Sequence, residues 1–202
     1  MKLILASSSP RRAEVLRNAG IEFEVRPADI DESRRPDESA GDYVQRLALE
    51  KARTVAEVAM GTEDSLVVGA DTVVVNRGEI LLKPDSADDA RRMLRQLSGG
   101  VHEVHTGLAV IRMPQRTQRV IEEVTSVQFA QLSDAEIDAY IATGEPFDKA
   151  GAYGIQSLGG RYVTRVEGCY FNVMGMPLGR LWDTLKEFNW SADGLPPNGP
   201  VG

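Results

Sequence analysis

The stretch SLVVGADTVVV, residues 65–75, is almost wholly apolar and β-branched, yet it carries Gly69, Ala70 and Asp71 at its centre. A run of this composition favours a strand over a helix. NRG, residues 76–78, then offers a turn before EILLK, residues 79–83. Residues 66–82 are therefore expected to form strands joined by a tight hairpin. Burying the Asp71 carboxylate among valines costs several kcal/mol unless a cation or hydrogen bonds compensate. At an expected strand end, Asp71 would suit a metal ligand or a base for water. The plainer alternative is a turn or bulge aspartate bonded to local backbone.

Upstream, LILA at residues 3–6 reads as a short buried strand, and SSSPRRAEVL, residues 7–16, as its passage into a helix. Ser9 suits the N-cap, Pro10 the first helical position and Gly20 the stop. Residues 22–26 alternate like a strand, and residues 27–38, rich in Pro, Asp, Glu and Arg, read as a loop. From 39 to 60 apolar residues recur at 44, 47, 48, 52, 55, 56 and 59, which is helical spacing. Downstream, a helix over 86–97 capped by Ser86 precedes strands at 104–112 and 118–129. Ser133 with Glu136 makes a capping box for a helix ending near Gly144. EPFDKAGAYGIQ, residues 145–156, reads as a glycine-rich loop with a helical turn; RYVTRVEG, residues 161–168, as a strand; and 177–188 as a closing helix. The tail, 189–202, has the composition of disorder. This alternation predicts a mixed α/β fold with an elongated twisted sheet, and the length fits one large domain or two small ones.

The chain of 202 residues can bury a full core. Its net charge of -7 argues against broad binding to nucleic acid or an anionic membrane, while allowing a small basic pocket. Cys169 is the one cysteine, so no intramolecular disulfide can form, and a reducing, cytoplasmic setting is expected. The apolar run before Ser7 is too short for a signal-peptide core or a membrane span.

The helix start at Pro10 raises a conflict. Backbone N–H groups and the helix dipole attract anions there, yet Arg11 and Arg12 occupy the first turn, where an acid would be better placed. A phosphate chain bridging the helix start and two guanidinium forks would remove the misfit; two solvated arginines on a capped helix are the alternative. Lys51, Lys83 and Lys149, each beside structural punctuation, could join these arginines in neutralising a triphosphate or could be ordinary surface charges. The acidic loop offers Asp31 and Glu32 to a hard cation, with magnesium the natural choice. His102 and His105 point to opposite faces of a strand and cannot share a metal, and Cys169 reads as a packed core residue. Neither the dinucleotide fingerprint nor a P-loop occurs.

LILASSSPRR, VVGADTVV, KPDSADDARRMLRQLSG, HTGLAV, EPFDKAGAYGIQSLGG and GCYFNVMGMPL together resemble, in order, the signature blocks of the Maf family, over about residues 2–188. The resemblance implies a single catalytic domain over 1–188 with a fold like that of the inosine triphosphate pyrophosphatases, two lobes around a deep cleft, often as a homodimer. It implies hydrolysis of a nucleoside triphosphate between the α and β phosphates with a divalent cation, magnesium or manganese. The blocks look like the branch acting on dTTP and UTP; the branch preferring 7-methyl-GTP carries a tryptophan where this chain has Arg11. By the same resemblance Asp71 is the catalytic acid and Arg11, Thr72 and Gln156 are specificity positions. Ser7, Arg12, Glu32, Lys51 and Lys83 match other pocket positions, with Asp71 and Glu32 the expected metal ligands. A 7-methyl-GTP pyrophosphatase, a non-catalytic nucleotide-binding regulator of cell division and a nucleic-acid-binding module are the rival readings.

Overall fold

The computed structural model describes residues 1–58 and 64–191. Strand β1 (Lys2–Leu5) leads into helix α1 (Pro10–Asn18), β2 (Glu24–Val25) and the long helix α2 (Ala40–Val58). Strand β3 (Ser65–Asn76), β4 (Glu79–Leu81), helix α3 (Ala87–Leu97), β5 (Val101–Met113) and β6 (Thr117–Phe129) follow. Helix α4 (Asp134–Ile141), three short 3-10 turns, β7 (Val163–Glu167), the single turn α5 (Tyr170–Val173) and α6 (Leu178–Glu187) complete the described chain.

The α/β expectation holds. Seven strands form one mixed sheet in the order β2-β1-β3-β5-β6-β7, with β4 also on β3. β1 pairs in parallel with β2 and β3, and the remaining pairs are antiparallel. The hairpin between β3 and β4 turns at Arg77 and Gly78, both with positive φ (50° and 82°), which a two-residue turn needs to match strand twist. Ser86 caps α3 by accepting from the Asp89 N–H, and the Ser133–Glu136 capping box is complete.

Helix α2 covers one face of the sheet. Ala48, Ala52 and Val55 pack there on Val67, and Val44 and Leu47 on Val73. The approach is close because Gly69 and Gly107 lie beneath it: a Cβ at either would collide with the Ala48 or Val44 carbonyl oxygen. The opposite face carries two separate clusters. α1 and α6 pack on Leu66, Val68 and Ala70; α3 and α4 pack on Val74, Val104 and Val127. Two lobes thus share a continuous sheet.

Several expectations are corrected in detail. Ser9 has the extended N-cap backbone of α1, but its side chain makes no capping bond; Ser7 Oγ instead accepts the Ser9 N–H at 3.2 Å. The strand expected over 22–26 shrinks to Glu24–Val25 because it pairs only with the last two residues of β1 at the sheet edge. Asp71 lies within β3, not at a strand end. Within the tail expected from residue 189, Trp190 is buried against the α1–α6 cluster, its ring edge-on to Trp182 at 6.0 Å. Residues 59 and 60, expected to end the long helix, and residues 192–202 of the expected tail lie outside the described residues. No helix among the described residues is long and apolar enough to cross a membrane.

Candidate active site

The register of the sheet makes the site. β1 pairs with β3 at residues 65–68 and β4 pairs with it at 74–76, so residues 69–73 have no strand beside them on that edge. A cleft of about 550 Å³ opens at this gap between the two lobes. Asp71 and Thr72 therefore line one cleft although alternation sends them to opposite faces of β3. The nine residues that the resemblance assigns to the site border this cavity, Ser7, Arg11, Arg12, Glu32, Lys51, Asp71, Thr72, Lys83 and Gln156, as does Lys149. Asp31, the other carboxylate offered to a cation, is not on its wall and instead accepts the Ser33 N–H at 2.9 Å.

On the α2 side, Lys51 is buried, and its Nζ lies 2.6 Å from Asp71 Oδ1 and 2.6 Å from Glu32 Oε1. One ammonium thus compensates Asp71 within the apolar strand. Burial pushes the Glu32 carboxyl up, but the bond from Lys51 and the charges of Lys51, Lys83 and Arg12 outweigh it, leaving Glu32 below its ordinary value. The loop bearing Glu32 is tied to α2 by Tyr43, whose hydroxyl donates to the Glu32 carbonyl at 2.8 Å. Burial and the charges of Asp71 and Glu32 push the Tyr43 hydroxyl up to about 12. Arg46 fastens the same loop through both oxygens of Glu38, at 2.5 and 2.8 Å, and through the Ser33 carbonyl at 3.1 Å. The hydrogen bond from Arg46 holds the Glu38 carboxyl down to about 2.

On the other side, Arg12 is built into the wall. Its Nε donates to the Gly175 carbonyl at 2.8 Å, Nη1 to Ser7 Oγ at 3.1 Å and Nη2 to Thr72 Oγ1 at 3.2 Å. Burial pulls its pKa below the ordinary guanidinium value while the charge of Asp71 opposes that pull. Three of five N–H donors are then spent on protein, leaving one on each terminal nitrogen. Arg11 reaches across the cleft, donating from Nη1 to Asp148 Oδ2 and from Nη2 to the Asp148 carbonyl, each at 2.8 Å. Lys149 Nζ donates to Asp148 Oδ1 and to the Glu145 carbonyl at 2.6 Å. Lys83 is exposed at the rim after β4, and Gln156 is half-buried in the loop beyond Lys149.

Two carboxylates converging on one ammonium make a donor set that suits a hard cation. No group of three or more His, Cys, Asp or Glu able to hold a metal occurs among the described residues. Asp71 and Glu32 thus offer two carboxylates to a cation, with Lys51 Nζ lying between them. His102 is buried, with Nε2 2.8 Å from the Tyr153 hydroxyl; His105 contacts Glu122 and Glu103. Cys169 is half-buried at the N-cap of α5 and so does not belong to the core. The sequence reading missed Tyr43, Asp148 and Gly175 as cleft residues. Tyr43 was accessible to it, since 43, 47 and 51 share one face of a helix.

The family described as Maf-like protein matches residues 2–188 of the chain. A protein of Acetivibrio thermocellus named dTTP/UTP pyrophosphatase is 51% identical over 195 residues, covering 95% of this chain and 97% of the relative. One of the same name from Hahella chejuensis is 50% identical, covering 94% and 95%. Among solved structures, the Staphylococcus aureus Ham1 protein aligns with a TM-score of 0.45 at 13% identity, over 93% of this chain and 100% of that one.

Proposed function

The chain belongs to the Maf family, and from this premise we propose that it hydrolyses dTTP and UTP to the nucleoside monophosphate and pyrophosphate. The observation that carries the reading is the buried Asp71 carboxylate. It lies 2.6 Å from Lys51 Nζ on the wall of a nucleotide-sized cleft also lined by Arg12 and Lys83. A binding protein gains nothing from burying a carboxylate beside a polyanion, whereas a hydrolase needs a proton acceptor there. This disfavours the regulator.

In this reading Ser7, the N–H groups at the start of α1 and the remaining donors of Arg12 hold the phosphate chain. Water adds to the α phosphorus in line with the bond to the bridging oxygen. That bond breaks with its electron pair passing to pyrophosphate, and Asp71 takes the proton from the water. Lys51 and Lys83 stabilise the charge that gathers on the leaving group. A divalent cation held by Asp71 and Glu32 would supply Lewis acidity toward phosphate oxygens and water. Arg11 and Gln156 read the pyrimidine edge, and Asp148 holds the Arg11 fork in place meanwhile. A cytoplasmic homodimer belongs to the same reading, with sedimentation velocity as the check on its assembly.

Asp71→Asn should keep nucleotide affinity and lose nearly all pyrophosphate release; normal turnover would sink the role given to Asp71. Across a nucleotide panel, dTTP and UTP should lead. Faster hydrolysis of 7-methyl-GTP would overturn the pyrimidine assignment.

A further inference from the structure

Beyond the cleft, Arg12 is the first member of a buried polar chain that crosses the sheet. Thr72 and Thr106 face each other in register on β3 and β5, their hydroxyl oxygens 2.9 Å apart. Thr106, fully buried, also donates to the Asn172 carbonyl at 3.2 Å. A threonine hydroxyl has one proton. With the Thr106 proton committed to a carbonyl, the Thr72 hydroxyl must be the donor to Thr106. The Thr72 oxygen then accepts from Arg12 Nη2 at 3.2 Å. Every polarity in the chain is fixed, from Arg12 to Thr72 to Thr106 to Asn172.

The far end is anchored. Asn172 is fully buried, and its Nδ2 donates to the Val104 carbonyl and to Thr125 Oγ1, both at 3.0 Å. Only the amide nitrogen can face a carbonyl, so the side-chain orientation is determined. Thr125 in turn exchanges bonds with the Cys169 backbone, fixing the start of α5. Three residues beyond Asn172, the Gly175 carbonyl takes the Arg12 Nε–H at 2.8 Å. Gly175 has φ +89°, and a Cβ there would sit 3.1 Å from Thr72 Oγ1 and 3.4 Å from Arg12 Nε. The guanidinium is thus gripped from two sides by groups whose positions Asn172 sets.

We infer that Thr106 and Asn172 are positioning residues for Arg12, acting through Thr72 and Gly175, so that the Thr72 hydroxyl serves the phosphate clamp. The inference rests on the phosphate role proposed for Arg12. Breaking the chain at Thr106 lets the fork swing, and a displacement of about 1 Å in such a group costs on the order of 100-fold in rate. Because every triphosphate shares the phosphate chain, the loss must be the same for every base.

The test is a cycle of wild type, Thr106→Val, Arg12→Lys and the double variant, with kcat/KM for dTTP and UTP and the melting temperature measured for each. Thr106→Val is expected to lower kcat/KM on the order of 10- to 100-fold, equally for both nucleotides, and to add little in the Arg12→Lys background. Thr106→Ser, which restores the hydroxyl, should recover most of the activity. If Thr106→Val does not fold, Thr72→Val breaks the chain at a half-buried position, with the same expected pattern. Wild-type kinetics in Thr106→Val would overturn the inference. So would a loss that differs several-fold between dTTP and UTP, a full multiplicative loss on top of Arg12→Lys, or a serine variant as impaired as the valine. Wild-type constants for Arg12→Lys would overturn the phosphate role itself, and the inference with it.

Discussion

Replacing Gly69 by alanine should separate the catalytic pair without touching either member. Gly69 precedes Asp71 by two residues on β3, so the two face the same helix, and Lys51 of α2 lies between Ala48 and Ala52. A Cβ at Gly69 would stand 2.9 Å from the Ala52 nitrogen and 3.1 Å from its Cβ, and closer still to the Ala48 carbonyl oxygen. Two of these neighbours are helix backbone, so no side-chain rotation relieves the overlap. Carbon-to-oxygen contacts settle at about 3.3 Å or more, so α2 must retreat locally by about 1 Å. The Lys51–Asp71 bond of 2.6 Å then lengthens beyond about 3.5 Å, outside hydrogen-bonding range. Overpacking of this kind costs about 1–3 kcal/mol, with each kcal/mol lowering Tm by about 2–4 °C at this size. Turnover should fall on the order of 100-fold, more than the stability loss alone explains. Thermal denaturation beside pyrophosphate release on the folded enzyme measures both. Gly179→Ala is the control: nothing lies within 4 Å of a Cβ there, and the site is helical. It should leave turnover intact and raise stability by up to about 1 kcal/mol. A Gly69→Ala enzyme with wild-type Tm and turnover would refute the claim that glycine sets the seating of Lys51.

Three further outcomes follow from the same structure. His102 is buried, and burial lowers it from 6.5 to about 4. The unfolded chain therefore takes up a proton that the folded one refuses, and the stability is whole above pH 6.5 and lost as pH falls toward 4. Chemical denaturation between pH 8 and 5 should show about 2 kcal/mol of loss that His102→Gln lacks; equal slopes would refute it. Arg46→Met removes the partner of a Glu38 carboxylate only 8% exposed and should cost about 2 kcal/mol or more. Since it frees the loop bearing Glu32, the KM for dTTP should rise more than kcat falls, and an unchanged KM would count against that loop's role. Hydrolysis in water enriched in oxygen-18 should place the label in the monophosphate; label in pyrophosphate would mean attack on the β phosphorus.

The elements were legible wherever local chemistry dictates them. The valines around Asp71 read as a strand, the spacing from Val44 to Ala56 as a helix, and Ser133 with Glu136 as a cap, and each is present. Four-residue α5 was not legible, because one turn is too short to display a period. The site was legible only as a set of residue types. That Asp71 needs a cation or hydrogen bonds follows from the cost of a buried carboxylate; that Lys51 is the cation, at 2.6 Å, could not be read. The gap in the sheet at residues 69–73 could not be read, because it depends on where β1 stops and β4 begins against the same strand edge. Nor could the difference between the two arginines be derived from position alone. Both interrupt the favourable electrostatics of a helix start, yet Arg12 turns inward to Thr72 and Gly175 while Arg11 spans the cleft to Asp148. Adjacent residues on a helix point about 100° apart, so one arginine must enter the wall when the other faces the opposite lobe. Which one enters is decided 163 residues away, by a carbonyl at Gly175 that no local pattern announces.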